Sequence, residues 1–329
     1  MTRESSRRRL RRRDRNALIA ACLTAMSMTA SGCVVVHGER VVLPAATRAE
    51  AARALTAFTD AYNKADKAYD SSLDAPYVTG SVADIDSARL KAGHTNSPAG
   101  NARHAPLALT DVTYTIPKKA GWPRWFVADA RSNKGGAVRW VLVFTRHGRG
   151  ERWQVAYLTL MAPGAVPKFR TDKDGWAEAV PAGSPGLAVR PDALSASYTS
   201  YLKSGGGTFA DGRDTSVLRA DRKKAAEKPG LVRQFIDEPL THGDYAPLAL
   251  RTSDGGALVF FTTRHFEKRT AYPGASVPIP SKDVRALVKG DVKQSLTLES
   301  MAGEAALDPP GGPVRILGRV QGLTGGQGA

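Results

Sequence analysis

Both cysteines of the chain, Cys22 and Cys33, lie close to its start, and residues 34–329 contain none. No disulfide can therefore join elements of the folded part, which has to be held together by the burial of apolar side chains. Cores of that kind need domains of ordinary size, roughly 100–150 residues. The length of chain that follows Cys33 accordingly favours two domains.

The first 32 residues have the three parts of a signal peptide. Seven arginines between Arg7 and Arg15 are followed by an apolar run from Ala17 to Met26 and then by small residues up to Gly32. The apolar run is too short for a transmembrane helix, which needs about 20 residues. We therefore predict that the protein is exported and that residues 1–32 are removed.

Cys33 indicates which kind of signal this is. The sequence Ala30-Ser31-Gly32-Cys33 resembles the lipobox of bacterial lipoproteins, although Ala30 stands where that family usually has leucine. The resemblance implies that Cys33 receives a diacylglycerol, becomes the new N-terminus and anchors the protein on the extracytoplasmic face of the cell membrane. An ordinary secretory signal is the alternative. Ser6-Arg7-Arg8-Arg9-Leu10 also resembles the twin-arginine export motif, so both export routes stay open.

The chain is strongly basic, with a net charge of +16. Residues 1–32 hold eight arginines and two acidic residues, which leaves a charge of about +10 on the remaining residues. A basic surface attracts anionic wall polymers or lipid headgroups. The plainer alternative is a soluble basic chain without a specific anionic partner. Export, and the absence of a recognised motif, argue against nucleic acid as a partner.

We interpret residues 33–46 as a tether and residues 47–162 as a first α+β domain. Thr47 and Glu50 form a capping-box pattern, and apolar residues recur at helical spacing from Leu55 to Tyr69, which predicts a long amphipathic helix that ends near Asp70. A short second helix is expected at residues 82–91. Strands are expected at 107–116, 124–130, 137–145 and 152–161, with a hairpin turn at Gly135-Gly136.

The second half of the chain repeats this plan. Residues 163–191, rich in proline and glycine, are interpreted as a linker, residues 192–321 as a second α+β domain and residues 322–329 as a flexible tail. Helices are expected at 192–203 and 216–227, and strands at 231–236, 246–252, 257–263, 292–298 and 314–320. In both halves a strand, a Gly-Gly turn and a second strand end in Thr-Arg-His, at 145–147 and at 263–265. This match favours an internal duplication.

A long helix laid on a curved antiparallel sheet resembles the cystatin-like and NTF2-like folds. Two such halves behind a lipobox are also similar to uncharacterised lipoproteins of actinobacteria such as Streptomyces. The resemblance implies an α+β fold of two similar halves, each with one long amphipathic helix and a short one packed on a curved antiparallel sheet. It brings no functional residues with it, because such folds host enzymes, binders and assembly modules alike.

No catalytic, cofactor or metal motif stands out, so none is expected. The six histidines have no partner at zinc spacing. His147 and His265 are expected at matching, partly exposed edges of the sheets. The most distinctive candidate binding surface is formed by Trp122, Arg124 and Trp125, because aromatic and arginine side chains dominate binding hot spots and stack on sugars. In the alternative, Trp125 packs in the core and Trp122 covers the end of a sheet.

The sequence as a whole favours a non-enzymatic, lipid-anchored envelope protein that binds another envelope protein or an anionic wall polymer. Two alternatives stay open. One is an extracytoplasmic enzyme that uses the cone of one domain, and the other is a ligand-capturing lipoprotein that serves a transporter. The sequence does not separate them, since it does not show which side chains converge.

Overall fold

The first helix begins at the capping box that the sequence predicts. In the computed structural model, which describes residues 41–226 and 229–329, α1 spans Arg48–Ala68. Thr47 Oγ1 accepts a hydrogen bond from the Glu50 backbone N–H at 3.1 Å, and Glu50 Oε2 accepts one from the Thr47 N–H at 2.8 Å. These two bonds satisfy amide groups that the start of a helix leaves free. The signal peptide, Cys33 and most of the tether lie outside the described residues.

Four further helices follow α1 in the described ranges: α2 Gly80–Asn96, α3 Leu194–Ser204, α4 Leu218–Ala226 and α5 Lys282–Leu287. The sequence predicts the first three, although α2 is longer than the expected 82–91, and it does not predict α5. Among these described helices, none is both long and apolar enough to cross a membrane.

Thirteen strands of the described residues form two sheets. Those of the first half are β1 Leu43–Pro44, β2 Leu109–Thr115, β3 Pro117–Lys119, β4 Arg124–Ser132, β5 Arg139–Arg146, β6 Gln154–Met161 and β7 Ala177–Val180. Those of the second half are β8 Leu231–Leu240, β9 Leu248–Arg251, β10 Ala257–Ala271, β11 Val288–Lys289, β12 Ser295–Asp308 and β13 Arg315–Gly328.

The smaller sheet is an antiparallel meander in the order β2-β4-β5-β6. The larger sheet has the order β1-β3-β7-β9-β10-β12-β13-β11, and β8 also pairs with β10. β9 pairs with residues 257–260 of β10, and β8 pairs with residues 262–271. Along one edge, β10 therefore pairs first with β9 and then with β8. The larger sheet thus extends beyond the β9–β10 hairpin.

The two sheets pack face to face, and a helix covers the outer face of each. Trp125, Val143 and Tyr157 of the smaller sheet meet Leu258 and Phe260 of the larger one. α1 packs on the outer face of the smaller sheet, and α3 packs on that of the larger sheet. Because both faces are buried along residues 140–144 of β5 and residues 257–261 of β10, these segments are continuous apolar runs that do not alternate with polar residues.

Residues 42–329 form one compact unit. β7, within the expected linker, pairs with β3 on one side and β9 on the other, so that segment is part of the larger sheet. The expected flexible tail instead completes β13, where Gly328 pairs with Leu296. The boundaries 47–162 and 192–321 stay a prediction about two related halves, which in this structure share one layered body.

Candidate functional site

The long strands of the larger sheet form the floor of an open groove. β10, β12 and β13 are 15, 14 and 14 residues long, whereas β5 and β6 of the smaller sheet have 8 residues each. The face of β10 that meets the smaller sheet at Phe260 continues through Arg264 and Phe266, which line the groove. α2 and residues 69–71 form the wall, and the cavity volume is about 1230 Å³. The groove exists because the smaller sheet does not cover this part of the face.

Charged groups of both signs line the groove. On the floor, Arg264 Nε lies 3.4 Å from Glu299 Oε1. On the wall, Tyr245 Oη donates a hydrogen bond to Asp84 Oδ2 at 2.7 Å. Burial and the Asp84 carboxylate raise the pKa of Tyr245 to about 12, so its hydroxyl keeps its proton at neutral pH. Lys91 and Lys289 add further positive charge to the lining, and the His94 imidazole lies beside them.

The groove also has an apolar side. Phe266 and Met301 lie on its floor, and Leu287 of α5 contributes to its rim. On β8, Ile236 pairs with Phe266 and is 53% exposed. Val232, on the same strand, is 41% exposed. An occupant with both apolar and charged groups would therefore find complementary contacts along this face.

A buried carboxyl pair stands behind the groove wall. Asp74 is 1% exposed and Asp86 is 7% exposed. Burial and the adjacent Asp86 carboxyl raise the pKa of Asp74 to about 8, so the pair holds a proton at neutral pH. Arg89 of α2 donates to Asp86 Oδ1 from Nε at 2.9 Å and also to Asp66 on α1. This cluster joins residues 70–77 to α2, and both of these form the groove wall.

A second buried polar cluster surrounds His265 on the opposite face of the larger sheet. His265 Nδ1 lies 2.5 Å from Asp237 Oδ1, and its Nε2 lies 2.8 Å from Thr263 Oγ1. Arg222 of α4 donates to Asp237 Oδ2 at 2.7 Å, and Arg319 Nε donates to Glu304 Oε1 at 3.3 Å. These six residues form what we name the sealed cluster: Arg222, Asp237, Thr263, His265, Glu304 and Arg319. All of them except Arg222 lie on strands of the larger sheet.

The sealed cluster has the residue types of an acid–base–hydroxyl arrangement, but its hydroxyl cannot reach a substrate. Thr263 is fully buried and donates its proton to Glu304 Oε1 at 2.6 Å. Burial alone would raise the pKa of Asp237, but His265 and Arg222 hold that pKa below its ordinary value. The arrangement is therefore a charge network that ties α4 to the sheet. The expectation that His265 is partly exposed is wrong, because β8 and α4 cover it and leave it 4% exposed.

The three residues of the predicted Trp–Arg surface separate in the structure. Trp125 does not belong to a surface: it is 2% exposed and packs between the sheets, because its side chain points to the face of β4 that meets the larger sheet. Trp122 and Arg124 are half-buried at the end of the sheets. The guanidinium groups of Arg124 and Arg146 lie 5.2 Å and 5.4 Å from the centre of the Trp122 ring. Cys33, the predicted lipidation site, lies outside the described residues.

The sequence did not point to the groove. Its lining comes from α2, β10, β12, β13 and the Tyr245 turn, which are far apart in the chain, and its residue types are ordinary. The only signal was the Thr-Arg-His repeat, which contains both Arg264 of the groove and His265 of the sealed cluster. Among the described residues, no group of three or more His, Cys, Asp or Glu side chains is placed to hold a metal ion.

Comparison with known proteins gives a consistent result. An "Uncharacterized lipoprotein" of Streptomyces coelicolor is 66% identical over 328 residues, covering 100% of both chains, and one of Streptomyces avermitilis is 58% identical over 332 residues with the same coverage. A second Streptomyces coelicolor "Uncharacterized lipoprotein" is 26% identical over 290 residues, covering 84% of this chain and 80% of its own. No solved structure matches the chain. The family described as "Domain of unknown function (DUF8094)" matches residues 42–328, and the chain belongs to that family.

Proposed function

We propose that the protein is a lipid-anchored envelope protein that binds an extended peptide segment of another envelope protein in its groove, without catalysing a reaction. The observation that carries this proposal is the open groove of about 1230 Å³ with charges of both signs beside Phe266, Met301 and Ile236. Sites for small molecules are usually concave pockets of about 300–1,000 Å³ that enclose most of the ligand. The larger, open shape favours a chain segment over a captured solute.

The balance of charge favours a peptide over an anionic wall polymer. Arg264 is paired with Glu299, and Asp84 faces the same space as Lys91, so the lining is not a uniformly basic track. A peptide with both charged and apolar side chains can match such a lining, because specificity comes from complementary potentials. Among the described residues, the groove hydroxyl that is paired with a carboxylate is that of Tyr245 on Asp84, and its raised pKa keeps it protonated at neutral pH, which makes it a poor nucleophile.

The anchor is part of the proposal. The lipobox-like sequence that ends at Cys33, together with relatives named as lipoproteins, supports acylation of Cys33 and a position on the extracytoplasmic face. We expect Cys33→Ser to leave the protein unprocessed or to release it from membranes, as judged by fractionation and mass spectrometry of the N-terminus. A processed Cys33→Ser protein that still pellets with membranes would contradict acylation.

Crosslinking from the groove floor tests the binding proposal. A Cβ added to Gly325 would have Glu299 Oε2, at 4.0 Å, as its nearest neighbour, so a photoreactive side chain there points into the groove without disturbing the fold. Gly311, in an exposed turn with no atom within 4 Å of an added Cβ, is the matched control. We expect one recurrent protein adduct on intact cells from position 325 and none from 311. Identical adducts from both positions, or only polysaccharide adducts, would contradict the proposal.

We also propose that the two halves arose by duplication and that each is an NTF2-like or cystatin-like unit. In support, α1 packs on the outer face of the smaller, antiparallel sheet, and α3 packs on the outer face of the larger sheet, whose long strands β10, β12 and β13 are antiparallel. The turns at Gly135-Gly136 and Gly255-Gly256 connect paired strands at matching places, β4–β5 and β9–β10. Distant family members in which the halves align better with each other than in this chain would strengthen the proposal.

A further inference from the structure

One end of the layered body carries tryptophan, arginine and exposed aliphatic residues beside β1. β1 pairs with β3, so that Leu43 lies opposite Lys119. Arg124 donates a hydrogen bond from its NH1 to the Pro44 carbonyl at 3.1 Å. The first strand is thereby fixed against the residues that flank Trp122. β5 ends at Arg146 opposite Arg124, so Arg149, in the turn that follows β5, belongs to the same end. We name this region, with Leu43, Lys119, Trp122, Arg124 and Arg149, the tether end.

Three cations of the tether end form no ion pair with any of the described residues. Lys118 is neutralised by Asp172 at 2.5 Å, and Arg146 lies 3.9 Å from Glu50. In the described part of the chain, by contrast, no carboxylate lies within 4.0 Å of the side-chain nitrogens of Lys119, Arg124 or Arg149. Burial and the charge of Arg124 lower the pKa of Lys119, as expected where like charges crowd together. Among the described residues, these three cations therefore contribute positive charge that no ion pair neutralises.

The aromatic and aliphatic residues at this end match the chemistry of a membrane interface. Trp122 is half-buried beside two guanidinium groups, and Arg146 also lies over the Trp153 ring at 4.5 Å. Leu43 is 46% exposed and Val42 is 59% exposed. Tryptophan, basic side chains and exposed aliphatic groups together are typical of surfaces that rest at the level of lipid headgroups.

The length of the tether limits where this end can lie. Leu43 is ten positions after Cys33, and an extended chain spans at most about 35 Å over ten residues. If Cys33 is acylated, as proposed above, Leu43 cannot be further than that from the bilayer surface. Attraction of basic residues to anionic lipid falls off within a Debye length, about 8 Å at physiological salt. The tether therefore allows the tether end to reach the headgroups, where the attraction of its basic residues acts.

We propose that the tether end docks on an anionic phospholipid surface, with Trp122 at headgroup level and Lys119, Arg124 and Arg149 facing the lipid phosphates. The placement step rests on the proposed acylation of Cys33, but the docking itself does not need the acyl chains. Docking at this end sets the orientation of the whole body, because residues 42–329 form one compact unit.

Vesicle binding of the unacylated protein tests this docking. Residues 34–329 contain the entire compact unit and lack Cys33, so any failure of acylation in cells cannot affect the result. We expect this protein to sediment with vesicles of phosphatidylcholine and phosphatidylglycerol but not with phosphatidylcholine alone. Each charge near an anionic surface contributes about a 5-fold change in binding. The double substitution Lys119→Gln and Arg149→Gln should therefore weaken binding by more than about tenfold.

A matched variant removes the same charge elsewhere. Lys223 and Lys224 are exposed on α4, and replacing both with glutamine should leave vesicle binding unchanged. Equal losses in the two double variants would mean that net charge alone is responsible and would overturn the proposal, as would binding to a soluble polyanion but not to vesicles. Quenching of fluorescence by brominated lipid gives a second readout, which Trp122→Phe should abolish. Quenching that persists in this variant would also overturn the proposal.

Discussion

The groove and the sealed cluster are built from consecutive residues of the same strands, yet their environments are opposite. Thr263 and His265 of β10 point to the face that α3 and α4 cover, while Arg264 and Phe266 point to the face beyond the smaller sheet. Side chains alternate along a strand, so one residue step decides between a dry interior and an open surface. The comparison teaches that the denser group of titratable side chains belongs to a dry interior, whereas the open surface lies where one face of the sheet lacks a covering layer.

The sealed cluster should be the more sensitive of the two regions. Glu304 is fully buried and is the carboxylate that Arg319 contacts at 3.3 Å. Glu304→Gln would leave the Arg319 charge uncompensated, and breaking a buried pair in this way costs about 3–5 kcal/mol. We expect the melting temperature to fall by roughly 10 °C.

The control for this prediction lies on the open face. Glu238 has a side chain that is 49% exposed and lies 3.8 Å from Arg264. Glu238→Gln should change the free energy of unfolding by less than about 0.5 kcal/mol. Similar costs for the two variants would show that the sealed cluster is hydrated and would remove the basis of the comparison.

The Asp74–Asp86 pair should have an effect on stability between those of Glu304 and Glu238. It should show as a dependence of the free energy of unfolding on pH. The pKa of Asp74 is raised to about 8 in the folded protein, from about 3.8 in an unfolded chain. A carboxyl with a raised pKa stabilises the fold fully below pH 4, and that contribution is lost as pH rises towards 8. Between pH 5 and pH 8 we expect a loss of about 2–4 kcal/mol relative to Asp74→Asn, which does not titrate.

Denaturation in urea at a series of pH values measures this difference. The exposed residue Asp60 supplies the control, because Asp60→Asn should leave the pH dependence as it is in the parent protein. If the parent and Asp74→Asn curves run parallel from pH 5 to pH 8, then Asp74 is ionised in the folded protein and the proposed proton sharing with Asp86 is wrong.

Two glycines of β13 allow the packing of the groove wall to be tested separately from the groove lining. Gly322 lies against α2, and Gly325 lines the groove. A Cβ at Gly322 would lie 2.3 Å from Ile85 Cγ2, so alanine there would push α2 away from the sheet. Overpacking of this kind costs about 1–3 kcal/mol. Gly325→Ala meets open space and should leave stability within about 0.5 kcal/mol of the parent. Equal urea midpoints for the two variants would mean that α2 does not pack on β13 as described.

Local patterns in the sequence predicted most helices and strands. The features that they did not predict depend on contacts between residues far apart in the chain. The Thr47–Glu50 capping box and the strands of the smaller sheet follow from periodicity within short windows. Residues 322–328 read as a tail because they are rich in glycine. The structure uses small residues there because α2 and β11 approach the backbone closely, as the contacts of Gly322 and Gly326 show. No window of the sequence contains both partners of such an approach.

The candidate site was harder to predict for the same reason. Burial of His265 depends on the pairing of β8 with β10 and on α4, and exposure of Arg264 depends on where the smaller sheet ends. Both residues belong to the same Thr-Arg-His sequence at 263–265, although one is buried and the other lines the groove. Trp125 could equally have faced outwards, since both faces of β4 are apolar and alternation gave no direction.

The smallest effect should come from a hydrogen bond within the groove, and its size tests whether the groove is open to water. Tyr245 Oη donates to Asp84 Oδ2 at 2.7 Å. In Tyr245→Phe, water can replace the lost hydroxyl at the carboxylate, so we expect a loss of about 0.5–1.5 kcal/mol, well below that of Glu304→Gln. The raised pKa of Tyr245 adds a second signature, because its contribution to stability is lost as pH rises from about 10 to about 12 and is absent from Tyr245→Phe. Urea denaturation at pH 7 and pH 11 measures both. A loss at pH 7 as large as that of Glu304→Gln would mean that Asp84 is sealed from solvent, and the groove would then be closed to the peptide proposed to occupy it.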